Sequence, residues 1–129
     1  MFARLPPDPP TDCQVVSTSA YSVRLAWGAP FSTDTDISYN IRYRLKHNED
    51  AKTRELRGIK GTSVEIMSVD SCSLYEFRIT AVSKFGESKA VYLVQYTGRE
   101  REAAREAEEF IGFKDHTLAS LRLLESCTL

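Results

Sequence analysis

The feature that most constrains this chain is an alternation of apolar and polar side chains that runs from Asp12 to Thr97. Turn-forming residues interrupt it at intervals of roughly ten positions, the spacing typical of short antiparallel strands. Successive side chains of a strand point to opposite faces, so a period of two indicates strands with one buried face. We therefore predict an all-β antiparallel sandwich with seven strands over residues 11–98.

The apolar positions of the longest predicted strands identify the core. In the third strand the aromatic and aliphatic residues point inward, whereas Arg42, Arg44 and Lys46 point outward. The sixth strand alternates in the same way, with Glu76 and Arg78 outward. The residues expected to fill the space between the two sheets are Trp27, Tyr39, Ile41, Tyr43, Tyr75, Phe77 and Ile79.

Length and charge limit the classes of function. The chain has 129 residues, enough for one domain. Its 17 basic and 18 acidic residues give a net charge of −1, so we expect no nucleic-acid ligand, because such binders are normally basic. No run approaches the roughly 18 apolar residues that cross a bilayer, and no membrane span is predicted. The compartment stays open: cytoplasmic for an intact native chain, extracellular for a piece of a longer secreted or membrane-anchored one.

A proline-rich lead-in occupies residues 1–10 and contains Pro6, Pro7, Pro9 and Pro10. Such a segment prefers extended polyproline geometry. We interpret it as a linker that enters the first strand, and the alternative is a ligand for an SH3 or WW domain.

Three motifs recur along the predicted strands: Trp27 in the second strand, Tyr-x-Ile-x-Tyr at 39–43 and Leu-Tyr-x-Phe-x-Ile-x-Ala-Val at 74–82. As a set they resemble the fibronectin type III domain over about residues 7–97. The resemblance implies an immunoglobulin-like sandwich in which Tyr75 is the tyrosine corner, its hydroxyl bonded to the backbone near Val69 to Ser71. It also implies a fold that does not depend on a disulfide. Ser71 stands in a region where the family often has proline, and serine in its place would loosen this loop.

The resemblance implies a non-catalytic module for protein interaction or adhesion, and the alternative is a structural spacer within a larger receptor, adhesion or cytoskeletal scaffold protein. The partner would be a protein of unknown identity. Arg42, Arg44 and Arg78 form a basic stripe that could meet an acidic protein or an anionic glycan. The competing interpretation is that long basic side chains only cover the sheet. Phe85, in the turn at residues 84–87, is a further candidate contact.

Cysteine and histidine spacing indicates no metal site, cofactor or catalytic centre. Cys13, Cys72 and Cys127 form no Cys-x-x-Cys pair, and neither His47 nor His116 is spaced to complete a zinc site. A nucleophile needs a nearby base and a group that orients it, and no such set converges. A Cys13–Cys72 bridge stays open, although the resemblance favours two thiols.

The hydrophobic period changes after Thr97, which predicts an amphipathic helical extension over residues 99–129. Thr97 and Glu100 have the spacing of a capping box. Short helices are marginal alone in water, so the apolar residues need a partner surface. They could pack on the sandwich, on a second copy in a homodimer, or in a groove of another protein. The candidate contact residues are Phe110, Ile111, Leu118 and Leu121.

Overall fold

The computed structural model describes residues 5–32 and 36–98, which form eight β-strands in two sheets. The smaller sheet has the order β1-β2-β5, and the larger has β4-β3-β6, with β7 and β8 both paired to β6. Every strand pair is antiparallel. The strands are β1 Thr11–Thr18, β2 Ser22–Gly28, β3 Ser38–Leu45, β4 Arg54–Ile59, β5 Ser63–Met67, β6 Leu74–Ser83, β7 Gly86–Glu87 and β8 Val91–Tyr96.

The core lies between the inner faces of the two sheets. Val23 and Leu25 of β2 are fully buried against Ile41 of β3 and Phe77 of β6. These side chains occupy every second position of their strands, so the predicted alternation becomes one continuous apolar layer. All seven residues expected in the core are buried. The all-β sandwich is therefore confirmed.

The strand count is eight, so the prediction of seven was wrong. The additional strand is β7, which lies in the segment predicted as a turn: its Glu87 pairs with Val82 of β6, whereas β8 begins at Val91, opposite Ile79. Ser88 lies in the break. Its amide donates to the Ala81 carbonyl at 2.8 Å, and its side-chain oxygen accepts the Ala81 amide at 2.9 Å. A hydroxyl thus takes the place of a backbone carbonyl, and alternation of side chains gives no sign of such a bulge.

The tyrosine corner implied by the family resemblance is present. The Asp70 amide donates to the Tyr75 hydroxyl at 2.9 Å, and Tyr75 is buried. Thr97 closes the same corner: its hydroxyl donates to the Asp70 carbonyl at 2.5 Å and accepts the Ser73 amide at 2.9 Å. The hydroxyl that the capping-box pattern assigned to a helix is therefore used by the sandwich. Ser71 has its carbonyl bonded by the Ser73 hydroxyl at 2.8 Å.

The cysteines differ from the expectation of two thiols. Cys13 is a free, half-buried thiol, and burial together with the Asp12 carboxylate raises its pKa. Cys72 is disulfide-bonded, and because Cys13 is free the two do not pair. Cys72 lies half-buried in the loop before β6 and does not occupy a core position. Its side chain is therefore accessible for disulfide formation. Cys127 lies outside the described residues.

The predicted helical extension over 99–129, with Phe110, Ile111, Leu118 and Leu121, also lies outside the described residues. The structure therefore leaves that part of the predicted architecture untested. Within the described ranges the chain has no helix long and apolar enough to cross a membrane.

Candidate functional site

The outer face of the larger sheet collects the predicted basic residues. Arg42 and Arg44 come from β3 and Arg78 from β6, each at a position between two core residues. The strands β3 and β6 are neighbours, so residues about 35 positions apart in sequence lie side by side. Tyr92 of β8 is directly opposite Arg78 and extends the row.

Arg42 and Arg78 are directly opposite each other on β3 and β6. Like charges at such positions destabilise a sheet. Two carboxylates relieve the repulsion by drawing Arg42 aside: its Nε donates to Glu55 Oε2, and its Nη1 lies 3.3 Å from Glu87 Oε1. Arg42 is thereby fixed in the sheet, and Arg78 is left facing outward.

The two carboxylates are held in their charged form by their neighbours. A hydrogen bond from the Thr80 hydroxyl, 2.5 Å long, and the charge of Arg42 lower the pKa of Glu87 below its usual value of 4.5. Hydrogen bonds from Arg57 and Arg42 lower the pKa of Glu55 in the same way. Both carboxylates therefore neutralise Arg42 at every pH near neutrality.

Arg44 and Arg78 differ from Arg42, because within the part of the chain that the structure describes neither forms an ion pair. Glu76 lies directly opposite Arg44, but its carboxylate binds Lys46 Nζ at 3.3 Å. Both arginines are exposed. Their charges are available to a ligand.

The two available arginines line a shallow groove of about 230 Å³ on the outer face. The groove has a mixed lining of basic, aromatic and hydroxyl groups, with one carboxylate already used by Lys46. We refer to it as the arginine groove, and its lining residues are Arg42, Tyr43, Arg44, Thr53, Glu76, Arg78 and Tyr92.

A second depression of about 400 Å³ adjoins the arginine groove and shares Tyr43, Arg44 and Thr53 with it. It lies between the β3–β4 connection and the loop that contains Asp70. Arg54 of β4 does not line the arginine groove, and its Nη1 donates to the Ser68 carbonyl at 2.8 Å. Arg57 is also neutralised, by Glu55.

The structure thus brings Arg42, Arg44 and Arg78 together but does not add Phe85 to them. Phe85 is half-buried beyond the end of β6, and Lys84 Nζ lies 5.2 Å from the centre of its ring. The sequence reasoning missed Tyr92 as a contact residue of the groove. The signal for it is the pairing of β6 with β8, which depends on the register and not on either strand alone.

His47 is exposed in the turn after β3, and residues 5–32 and 36–98 contain no group of three His, Cys, Asp or Glu side chains able to hold a metal. The indole nitrogen of Trp27 is the single buried side-chain polar atom of this region without a hydrogen-bond partner. Trp27 lies inside the core, with the centre of its ring 5.2 Å from that of Tyr39.

Comparisons with known proteins agree with this architecture. The family model of the fibronectin type III domain matches residues 8–106. The neural cell adhesion molecule L1-like protein of Mus musculus is 33% identical over 86 residues, which are 65% of this chain and 7% of that protein. The receptor-type tyrosine-protein phosphatase F of Danio rerio is 37% identical over 81 residues, 62% of this chain and 4% of that protein. The chain therefore spans less than a tenth of the length of these relatives.

Two solved structures share the fold. A crystal structure of domains from titin is 27% identical and covers 70% of this chain and 32% of the titin chain, with a TM-score of 0.60. A structure described as a myokine is 19% identical, covers 72% of this chain and 99% of its own, and has a TM-score of 0.62. The second similarity concerns the fold alone.

Proposed function

The chain belongs to the fibronectin type III family, and on that premise we propose that it is a non-catalytic protein-interaction module whose binding surface is the arginine groove. One observation carries the proposal: Arg44 and Arg78 are exposed and form no ion pair within the described residues, although acidic side chains neutralise Arg42, Lys46 and Arg57 around them. Exposed guanidinium groups are stable in water, so exposure by itself does not indicate binding. Two arginines directly opposite each other do, because like charges at such positions destabilise a sheet and side chains that only cover it need not be placed in this way. The partner is an acidic segment of another protein.

The groove is suited to such a segment by its chemistry. A guanidinium group binds a carboxylate through two parallel hydrogen bonds. Tyr92, 57% exposed, offers an apolar surface with a hydroxyl at its end, as is common in protein interfaces. The depression beside the groove gives an extended peptide room to continue towards Asn48 and Lys52.

Charge reversal tests this function. We would measure binding of a fluorescent Glu-rich peptide to the full chain and to the double variant Arg44→Glu, Arg78→Glu. Affinity should fall at least about tenfold, equal to 1.4 kcal/mol, and should weaken with salt in the native protein because the charges are exposed.

The matched control is Arg24→Glu, which changes an exposed arginine on the smaller sheet. Its affinity should stay within about twofold of the native value, since surface effects of that size are ordinary. Equal losses in both variants would show a general charge effect and contradict the proposed surface. If the two variants rank in the same order for retention on heparin as for affinity to the peptide, the surface would extend to anionic glycans.

The alternative function is a structural spacer. The supporting observation is that the chain spans only a small part of the length of its relatives and of the multidomain titin structure. A spacer uses its ends and not its faces, so it predicts no peptide binding at concentrations where the native chain would bind through the groove.

The predicted helix over residues 99–129 is part of the proposal as a segment that docks on the sandwich or on a partner. Its apolar spacing at Phe110, Ile111, Leu118 and Leu121 supports this role. With Cys72→Ser in both chains, so that neither carries the disulfide, deletion of residues 99–129 should lower the melting temperature if the helix packs on its own sandwich, and should leave it unchanged if the helix binds a partner. Calorimetry of the full and shortened chains distinguishes the two.

An extracellular setting is part of the proposal, and the relatives named as a neural cell adhesion molecule and a receptor-type phosphatase support it. The disulfide at Cys72 supports the same compartment, because disulfides persist in oxidising environments and are rare in the cytosol.

A further inference from the structure

The disulfide at Cys72 is a covalent contact that the two sheets do not account for. Cys72 is disulfide-bonded, whereas Cys13 is a free thiol. The chain contains three cysteines, and the third is Cys127. Within a single chain, Cys127 is therefore the one cysteine left to bond Cys72, and it belongs to the segment that follows the sandwich.

Cys72 lies at the point where that segment leaves the sandwich. Its amide donates to the Gly98 carbonyl at 2.9 Å, and the Gly98 amide donates to the Ser19 carbonyl at 2.8 Å. A Cβ on Gly98 would come within 3.3 Å of the carbonyl carbon of Ser19, so the backbone passes here at a distance that suits glycine. The start of residues 99–129 is therefore fixed on two sides, directly beside Cys72.

This position favours a disulfide within one chain over a disulfide between two copies. The segment would leave the sandwich beside Cys72 and return to it through Cys127 as a loop of roughly 30 residues, and the cost of closing a loop rises only slowly with its length. A thiol on a flexible connection has an effective concentration in the millimolar range. A second copy would match that value only in very concentrated protein.

An exposed apolar strip begins at the same corner, on the outer face of the larger sheet. Tyr96 of β8 is directly opposite Leu74 of β6, and Val94 is the next outward residue of β8. Val94 is 46% exposed and Tyr96 is 50% exposed. We refer to Leu74, Val94 and Tyr96 as the β8 strip. Cys72 precedes Leu74 by two residues and Gly98 follows Tyr96 by two, so each end of the loop is at most about 7 Å of backbone from the strip.

The β8 strip is open on its face, whereas the neighbouring sheet edge is already occupied. The Thr18 hydroxyl lies 3.5 Å from the Tyr96 carbonyl, and the Ser19 carbonyl accepts the Gly98 amide. The connection between β1 and β2 therefore flanks the end of β8. A segment that leaves at Gly98 has no room to add a strand beside Tyr96, and it reaches exposed apolar surface by lying across the outer face.

We propose that residues 99–129 fold back over the β8 strip and are held there by a disulfide between Cys72 and Cys127. The proposal rests on the proposed docking role of this segment and names the surface on which it docks. It does not require that the arginine groove binds an acidic partner.

The length and pattern of the segment fit this surface. Apolar residues recur at helical spacing on both sides of Gly112, with Phe110 and Ile111 before it and Leu118 and Leu121 after it. Two helical arms of about 12 residues would each be about 18 Å long. The six residues of β8 span roughly 20 Å, so one arm could cover the strand while the other returns to Cys72.

Charge also favours this occupant. Residues 99–129 carry seven acidic and five basic side chains. The outer face on which the β8 strip lies holds Arg44 and Arg78, both exposed and without an ion pair in the described part of the chain. Glu76 is opposite both Arg44 and Val94, so a free guanidinium group lies two strands away from the strip and can attract carboxylates of a docked segment.

Peptide mapping of the unreduced full chain tests the covalent part. Formation of the bond removes two electrons and two protons from the two thiols, and oxidised glutathione accepts them as it is reduced to two thiols. After folding with oxidised glutathione, monomeric protein should release one linked pair of peptides that contain Cys72 and Cys127. Labelling in denaturant without reductant should modify Cys13 alone. A bond from Cys72 to a second chain, a bond to Cys13 or an unlinked Cys72 would overturn the proposal.

Limited trypsin digestion of the unreduced full chain tests the docking. The segment contains cleavage sites at Arg105 and Lys114, and cleavage follows the population of the undocked form. Val94→Ser and Tyr96→Ser, made separately, should each raise the cleavage rate at these sites at least about tenfold, because the apolar contact is lost. The double variant Cys72→Ser, Cys127→Ser should also raise it, because the tether is removed.

The matched control is Met67→Ser, which changes an apolar residue 58% exposed on the smaller sheet. Its cleavage rate should stay within about twofold of the native rate. Trp27 fluorescence reports whether each variant is folded. A native segment that is cut as fast as that of folded Val94→Ser and Tyr96→Ser, or a control that is cut as fast as those variants, would overturn docking on the β8 strip.

Binding of the Glu-rich peptide to the same unreduced chain separates this proposal from the function of the arginine groove. A protected segment without peptide binding would contradict the groove and support the docking. An unprotected segment with peptide binding intact would contradict the docking and support the groove.

Discussion

The two faces of the larger sheet are built from the same strands and yet follow opposite rules. On the inner face Tyr43, Phe77 and Ile79 are buried and pack against neighbouring apolar side chains. On the outer face Arg42 and Arg78 lie opposite each other as like charges, and of the two only Arg42 forms ion pairs. The inner arrangement lowers the free energy of the folded chain, whereas the outer one leaves charge available. On the proposed function, stability and binding are assigned to opposite faces of one sheet.

The largest contrast between the faces should appear on truncation of neighbouring residues. Phe77 is fully buried, so Phe77→Ala should lower the free energy of unfolding by about 3–5 kcal/mol. Arg78→Ala, one position along the same strand, should change it by less than about 0.5 kcal/mol. Urea denaturation measures both. Similar losses in the two variants would mean that the outer face also carries the stability of the sandwich.

A smaller effect should follow from removal of one hydroxyl on the inner face. Tyr75→Phe leaves the Asp70 amide without its acceptor and should cost about 1 kcal/mol. Tyr96→Phe removes a hydroxyl from a residue 50% exposed and should be nearly neutral. Thermal unfolding of both variants tests the comparison, and equal melting temperatures would show that the tyrosine corner adds no stability.

The smallest effect concerns the acid limb of stability. The folded-state pKa of Glu87 lies below its ordinary value of 4.5, so its contribution is present above about pH 4.5 and is lost as pH falls through the lower value. Glu87→Gln should therefore flatten the loss of stability below that pH. Glu65→Gln, at an exposed residue, should not. Unfolding curves recorded between neutral and acid pH give the stability of each variant as a function of pH. Parallel profiles for the two variants would exclude a role for the Arg42–Glu87 pair.

Sequence periodicity predicted the sandwich well because burial acts on every second residue. A side chain such as Ile41 or Phe77 must face the core once its strand forms, and its neighbours must face out. The family match and the buried core agree with that prediction. The short strand β7 in the predicted turn was missed, since two residues are too few to show alternation and the Ser88 hydroxyl replaces a backbone acceptor beside it.

The candidate site could be predicted only in part. Outward arginines are visible from alternation, but their ionic partners are not. Glu55 and Glu87 reach Arg42 from β4 and β7, strands on either side of the pair formed by β3 and β6. Tyr92 joins the arginine groove through the register of β8. These contacts depend on which strands become neighbours, and a single strand carries no information about that.

The sequence by itself determined the fold class, the core and the outward direction of Arg42, Arg44 and Arg78, because these follow from local alternation and the free energy of apolar burial. Only the tertiary structure decided that Arg42 is neutralised while Arg44 and Arg78 are not, that Cys72 and not Cys13 forms a disulfide, and that β8 is the sheet edge without charge among the described strands. The physical reason is the same in each case. Charge pairing, disulfide formation and edge exposure are properties of neighbours in space, and residues far apart in sequence become neighbours only when the sheets assemble.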